Sequence, residues 1–329
     1  GINAELILDA GEDENSLIIS DVADNIANVG RMTSSQLTGF SNGAINYVAT
    51  AGNFLGGVDI RLGSGGNDIS VESIAVNAPT TLHSGTGKDQ ITVEDNAGTL
   101  HAFDSSLIVD GQAGINTLTI SDAADNSNNI NGVLTENSLT GLGMVGIAYQ
   151  NISLLDIMLG GGNDVFHVIN THQQRTKLNT AAGTAEINID SVSGLTTIIA
   201  GKEVDTFNVG LTTAIESAFS GVLNLEGGES GDQYNVNIAS KGNSLINILE
   251  NGVKGSDELN ITGTNNTDHF LLRREFVALL NADDKVERIN YTNTIETLKI
   301  DSLDGDDYFT VDDNSALTEV NTGKGKDSV

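Results

Sequence analysis

Cysteine and tryptophan are both missing from this 329-residue chain, and proline occurs once, at Pro79. Without cysteine there is no disulfide and no thiolate metal site, so packing, hydrogen bonds or oxygen-ligated metals must hold the fold. Average usage near 5% would give roughly sixteen prolines. Their scarcity suits strands paired on both sides, because each rung of a ladder needs an N–H that proline cannot donate. Aromatic residues make up 4% of the chain, which argues against a sugar-stacking groove, a base-stacking surface or an aromatic cofactor box. Positive charge is scarce too: 15 Lys and Arg face 45 Asp and Glu, for a formal charge of −30. Nucleic acid is thereby excluded as a partner, since phosphate binding needs the opposite balance. No apolar run reaches the length of about eighteen residues that crosses a bilayer, and no signal-peptide pattern is present, so membrane insertion is not expected.

What the chain has in quantity is glycine, 38 residues, together with Asn and Thr, a composition that penalises helix almost everywhere. The glycines are not scattered. They recur in one phrase, clearest in GTGKDQITV at 85–93: a glycine-rich corner, an aspartate, then a short alternating strand. Variants stand at 63–71, 160–168, 201–209, 228–236, 252–261, 304–311 and 323–329, with looser copies at 11–19 and 111–120. A second alternating run precedes most corners, as in VDIRL at 58–62, LLDIML at 154–159 and LINILE at 245–250. Strand, corner, strand is the unit, and it returns every twenty to twenty-seven residues or so. Units this short cannot bury an apolar face alone and must stack on their neighbours.

A longer repeat lies over the short one. Residues 8–25 align with 109–126 at an offset of 101, and Val58-Asp59-Ile60 falls on Leu155-Asp156-Ile157. Leu155, Asp164, Phe166 and Val168 fall in turn on Leu298, Asp307, Phe309 and Val311. The expectation is one elongated, all-β, right-handed parallel β-solenoid (β-helix) over 1–329, of roughly thirteen coils. Its superrepeats are 1–101, 102–219 and 220–329. Three long gaps each have room for two coils, with candidate strands at SSQLTGF, AINYVA, NSLTGL and GIAYQ, and 268–290 is an insertion, a strand pair or short helix. Alternation points Ile91 and Val93, Phe207 and Val209, Tyr234 and Val236 to one buried face. Thr92, Asn208, Asn235 and Asn260 go to an outward polar ladder that bonds to the copies above and below.

The corner has a physical logic of its own. Glycines take φ > 0 so that the chain turns a sharp edge, and the aspartate sits beside its counterpart one coil away. Stacked carboxylates and turn carbonyls suit a hard cation such as Ca²⁺. The alternative use of the same Asp and Asn side chains is to close the turn by hydrogen bonds to backbone. The metal-ligand candidates are Asp68, Asp89, Asp164, Asp205, Asp232, Asp257, Asp307 and Asp327. Asp68 with Asp89 and Asp307 with Asp327 lead, as neighbouring coils that both keep the acid.

These corners resemble the hemolysin-type, RTX-like Gly/Asp-rich repeats of secreted bacterial proteins. With phrases such as LTISDAADN, SLTGLGM and VNTGKGKDSV, the chain is similar to the β-strand-repeat arrays of very large bacterial surface and adhesin-like proteins. Gly85, Gly87 and Asp89, Gly160, Gly162 and Asp164, and Gly323, Gly325 and Asp327 fit the Gly-x-Gly-x-Asp of that nonapeptide. The resemblance implies Ca²⁺ as ligand, an extracellular, cell-surface location and a structural or adhesive role. It departs in having one corner per coil, in Ala185 standing where Asp89 stands one superrepeat earlier, and in Asn116 replacing an aspartate.

Little else in the chain points to chemistry. His83, His101, His167, His172 and His269 have no ligand spacing and read as strand-surface residues. No phosphate loop or Gly-x-Ser-x-Gly elbow occurs. The basic stretch at 268–291, with Arg273, Arg274, Lys285 and Arg288, is the one place a groove for polysaccharide could form. The function expected is a stiff, acidic structural or adhesive segment of a larger extracellular protein, not an enzyme, partnered by its own neighbouring repeats or by copies end to end. The alternatives are a polysaccharide-binding or polysaccharide-degrading β-helix and, behind it, ice binding.

Overall fold

The computed structural model describes residues 2–210, 219–239, 243–252, 254–282 and 284–329. Val253 of the 252–261 corner and Asp283 of the expected insertion lie outside the described residues. The described chain is all-β, a β-solenoid of short strands in long parallel ladders, and no described helix is long and apolar enough to cross a membrane. It packs as two compact units, Gly1–Asp125 with Asn137–Leu159, and Asn126–Glu136 with Gly160–Val329.

In the first unit one ladder runs through Val29–Met32, Asp68–Val71, Gln90–Val93, Thr117–Ser121 and Leu154–Met158, each parallel to the next. The opposite ladder runs through Leu17–Ser20, Val58–Arg61, Thr80–His83, Ser106–Asp110 and Met144–Gln150. Register converts the sequence alternation into columns. Ile69, Ile91, Leu118 and Leu155 lie in line, as do Val71, Val93, Ile120 and Ile157, and all are buried. Each column is a continuous apolar strip, so burial is shared by neighbours that could not achieve it alone.

The second unit repeats this construction. Val165–Val168, Glu186–Ile189, Thr206–Val209, Gln233–Asn237, Glu258–Thr262, Thr297–Asp301 and Leu317–Asn321 form one parallel ladder. Arg175–Asn179, Leu195–Ile199, Val222–Glu226, Ser244–Ile248 and Val286–Tyr291 form the other. In-register pairing lays equal rings on one another: Phe207 and Tyr234 stack at 5.0 Å, and Phe270 and Phe309 at 4.8 Å. Those separations match the strand spacing, which leaves the rings no room to tilt. Outside, Asn208 donates to Asn188, Asn235 to Asn208 and Asn260 to Asn235 at 2.9–3.0 Å, the polar ladder expected from the sequence. A second such row joins Asn290, Asn247 and Asn224 at 2.7 Å.

One expectation changes. The long gaps do not hold pairs of coils. Gln36–Thr38 runs antiparallel between Val29–Met32 and Ile45–Val48, and Ser138–Gly141 runs antiparallel to Met144–Gln150. The stretch 268–290 does the same, with Phe276–Leu280 antiparallel to both His269–Arg273 and Val286–Tyr291. The strand pair expected there is present, and it is the third copy of one feature, hidden because an antiparallel excursion and two coils both read as alternating strands. Equivalent strands also change sides. Leu17–Ser20 and Thr117–Ser121 match in sequence yet belong to opposite ladders of the first unit, as do Leu6–Asp9 and Ser106–Asp110. The superrepeat therefore advances by an odd number of strand layers.

Candidate metal centre

The corner aspartates do not project from the edge. Asp89, Asp164, Asp205, Asp232, Asp257 and Asp307 are all at most 2% exposed, and Asp327 is half-buried. Each turns its carboxylate along the stack and accepts the backbone N–H of the corner residue one coil earlier. Asn67 donates to Asp89 at 2.7 Å, Asn129 to Asp164 at 2.9 Å, Ala185 to Asp205 at 2.6 Å, Asp205 to Asp232 at 2.7 Å and Asp232 to Asp257 at 2.8 Å. Asp307 N–H reaches Asp327 Oδ1 at 3.1 Å. The second oxygen often serves the corner itself: Ser84 donates to Asp89 Oδ2, and the Gly201 N–H to Asp205 Oδ2. Hydrogen bonding from backbone is what lets a buried carboxylate persist at the turn. The turn-closing use of these residues is the one the geometry displays, extended from one coil to the next.

Asp68 stands apart. It is exposed and pairs in register with Gln90, while the buried neighbour Asn67 occupies the corner slot opposite Asp89. Counting from aspartate to aspartate misaligned this copy by one residue, so Asp68 and Asp89 are not stacked counterparts. Asp307 and Asp327 are. Ala185 and Asn116 sit in corner slots as the sequence indicated, Asn116 accepting the Asp89 N–H at 3.2 Å.

The corner series also includes residues the motif search passed over. Asp268 accepts the Thr264 N–H and donates its own to Asp307; its signal was present as Gly263, Asp268, Phe270 and Leu272, a corner phrase with a longer turn. Glu296 takes the place of an aspartate by accepting the Asp257 N–H at 2.7 Å. No glycine flags it, and nothing short of the fold reveals it.

One place gathers more acid than a corner needs. Asp232, Glu250 and Asp257 are all buried, each offering a carboxylate oxygen within 4.8 Å of the others. Glu250 lies two residues beyond the strand Ser244–Ile248, at the end of the alternating run LINILE. Tyr234 donates to Glu250 Oε2 at 2.7 Å, and the Gly252 N–H to Glu250 Oε1. Burial pushes the Asp232 carboxyl up to about 7, with repulsion from Asp205, Glu250 and Asp257 adding to it. Asp205 and Asp257 are each pushed up to about 6, again mainly by burial. A carboxyl whose folded value lies above its unfolded value near 3.8 takes up a proton on folding. Its contribution is complete below about pH 4 and is lost as pH rises through the folded value. Thermal melts followed by circular dichroism in cation-free buffer should therefore show the melting temperature falling between about pH 4 and pH 8. A flat or rising profile would count against buried, raised carboxyls. Asp24 and Asp59, held below the usual range by Asn28 and Arg61, change their contribution only below about pH 4 and so leave this window unaffected.

A second group, His101 with Asp122 and Asp125, is half open: His101 is exposed and its Nε2 lies 3.4 Å from Asp125. The other histidines include His83 between Asp59 and Asp110, and His167 bonded to Asp190 at 2.8 Å. In the basic stretch, Arg273 pairs with Asp312, Arg274 with Glu275, and Arg288 covers the Phe276 ring at 4.1 Å. These cations are spent on local partners. No protein-family model matches the chain, and no curated protein matches it.

Proposed function

We propose that the chain is a structural, adhesive repeat module of an extracellular bacterial surface protein, in which stacked coils supply stiffness and spacing and no residue performs chemistry. The observation that carries this reading is the corner ladder. The most conspicuous polar motif of the sequence is consumed in joining each coil to the one before it. Such a device resists separation along the stack and offers nothing to a substrate. The extracellular setting rests on the resemblance of the corners to RTX-like and adhesin-like repeats, and the acidic surface is consistent with surroundings rich in divalent cations. Further repeats of the same kind, or other copies of the chain, are the natural partners. Among the described residues, Leu6–Asp9 and Leu17–Ser20 each pair on one side only, with Ile7 and Ile18 exposed.

Two measurements on the purified chain test this. Single molecules stretched by force spectroscopy should resist and then yield in steps, and incubation with bacterial exopolysaccharides should release no new reducing ends. Polysaccharide turnover would replace the structural reading with an enzymatic one.

A further inference from the structure

Every carboxylate in the corner ladder answers to a backbone N–H, but at one level three of them crowd together with more negative charge than those bonds require. We propose that Asp232, Glu250 and Asp257 form a buried site for a single, largely dehydrated hard cation of the Ca²⁺ class.

Charge gives the first reason. The three residues are 0–2% exposed, and among the described residues no salt bridge reaches any of them. Carboxylates this close, out of contact with water, cannot all be ionised without a compensating proton or cation. Preorganisation gives the second. One oxygen of each residue is already tied to a backbone N–H: Asp232 Oδ1 to Asp205, Asp257 Oδ1 to Asp232, and Glu250 Oε1 to Gly252. Glu250 is further fixed by the Tyr234 hydroxyl, whose ring is clamped on Phe207. Groups held in this way lose little freedom on taking a ligand.

The remaining oxygen of Asp232 gives the third and most direct reason. Asp232 Oδ2 is fully buried and has no hydrogen-bond partner among the described residues. It faces the space beside Gly227, where a Cβ would stand 2.4 Å from Asp232 Oδ2, 2.4 Å from Glu250 Oε2 and 2.3 Å from the Tyr234 hydroxyl. Three oxygens thus crowd the position that a side chain at Gly227 would need, and only glycine there lets them gather so closely. One position beyond the register pair Ile199↔Glu226 and two beyond Leu225↔Ile248, the column reads Ala200, Gly227, Glu250. The acid therefore appears directly over the missing side chain.

Enclosure selects the ion. The three oxygens lie within 4.8 Å of one another, close enough to share one Ca²⁺ with bonds of about 2.4 Å. Mg²⁺ holds oxygens at about 2.0–2.1 Å in a strict octahedron and keeps its waters, which an enclosed site cannot accommodate. The site differs from a stacked corner in taking Glu250 from outside the glycine motif.

Tb³⁺ serves as the probe, on the whole chain. Because tryptophan is absent, tyrosine is the only antenna, and Tyr234 touches a proposed ligand. One Tb³⁺ per chain should show tyrosine-sensitised emission, be displaced by Ca²⁺ but not by equal Mg²⁺, and show few bound waters when lifetimes in H₂O and D₂O are compared. Tyr234→Phe should abolish most of the emission while calorimetry still detects Ca²⁺ binding. Glu250→Gln and Asp232→Asn each relieve repulsion, so both should fold, and each should weaken Ca²⁺ binding by roughly a hundredfold. Emission that survives Tyr234→Phe, or a well-hydrated ion, would place the metal on the acidic surface and overturn the site. Absence of any bound ion would leave a proton as the neutralising species and overturn it equally. Should either carboxylate variant fail to fold, the Tyr234→Phe and lifetime results on folded protein still decide. None of these outcomes depends on whether the chain is structural or enzymatic, so the two readings fail separately.

Discussion

Gly228→Ala is expected to lower stability in urea titrations by about 4 kcal/mol or more, at the far end of single-residue effects. Gly228 has φ +114°, where an L-residue is strained, and an added Cβ would lie 1.8 Å from the carbonyl oxygen of Gly201 in the coil before. Neither contact can be relieved by rotating a side chain, because the obstacle is backbone on a neighbouring rung. The coils must part locally, and that disturbs the Ala200–Glu226 and Gly201–Glu229 backbone bonds on either side of the glycine. Conformational strain alone costs about 1–2 kcal/mol at such a position; the steric term makes up the rest. A loss below about 1 kcal/mol would mean that the corners yield easily and that stacking there is loose.

Asp89→Ala is the second large effect, expected at about 3–5 kcal/mol by the same measurement. Asp89 is 0% exposed and accepts from the Asn67 N–H at 2.7 Å and the Ser84 hydroxyl at 2.8 Å. Alanine leaves the Asn67 N–H buried without its acceptor and the Ser84 hydroxyl with only the longer bond to the Gly111 carbonyl at 3.3 Å, and such an orphaned group costs more than the bond itself contributed. Asp89→Asn retains one acceptor oxygen and should cost markedly less. The exposed Asp68, its neighbour in the sequence reading, provides the control: Asp68→Ala should change stability by no more than about 0.5 kcal/mol. Equal losses at 68 and 89 would contradict the inward orientation of the corner carboxylates.

The pair 68 and 89 also illustrates what sequence can and cannot convey. Alternation and period sufficed for the solenoid, because burying Ile69, Ile91 and Leu118 in one column needs only that every second residue be apolar and every coil similar. Direction was not legible. Antiparallel Gln36–Thr38 and Phe276–Leu280 alternate as a parallel strand does, and only their hydrogen bonds reveal the reversal. Nor was the orientation of the corner acid, since the same Gly-x-Gly-x-Asp spacing permits a carboxylate aimed at solvent or along the stack. Glu250 was the least accessible. Its partners Asp232 and Tyr234 lie eighteen and sixteen residues away, and it becomes part of a cluster only because Gly227 has no side chain to hold their oxygens apart.

The ladder of corner bonds has a direction, and that sets an order of assembly. In each bond the donor N–H comes earlier in the chain and the accepting carboxylate later, by 20 residues from Ala185 to Asp205, 27 from Asp205 to Asp232 and 39 from Asp268 to Asp307. A coil emerging from the ribosome therefore cannot finish its own corner. It waits, with a polar group open, for the next coil to arrive with its acid, a delay of a few seconds at about 5–20 residues per second. The growing end is always one corner short of complete, and each new turn locks the one made before it.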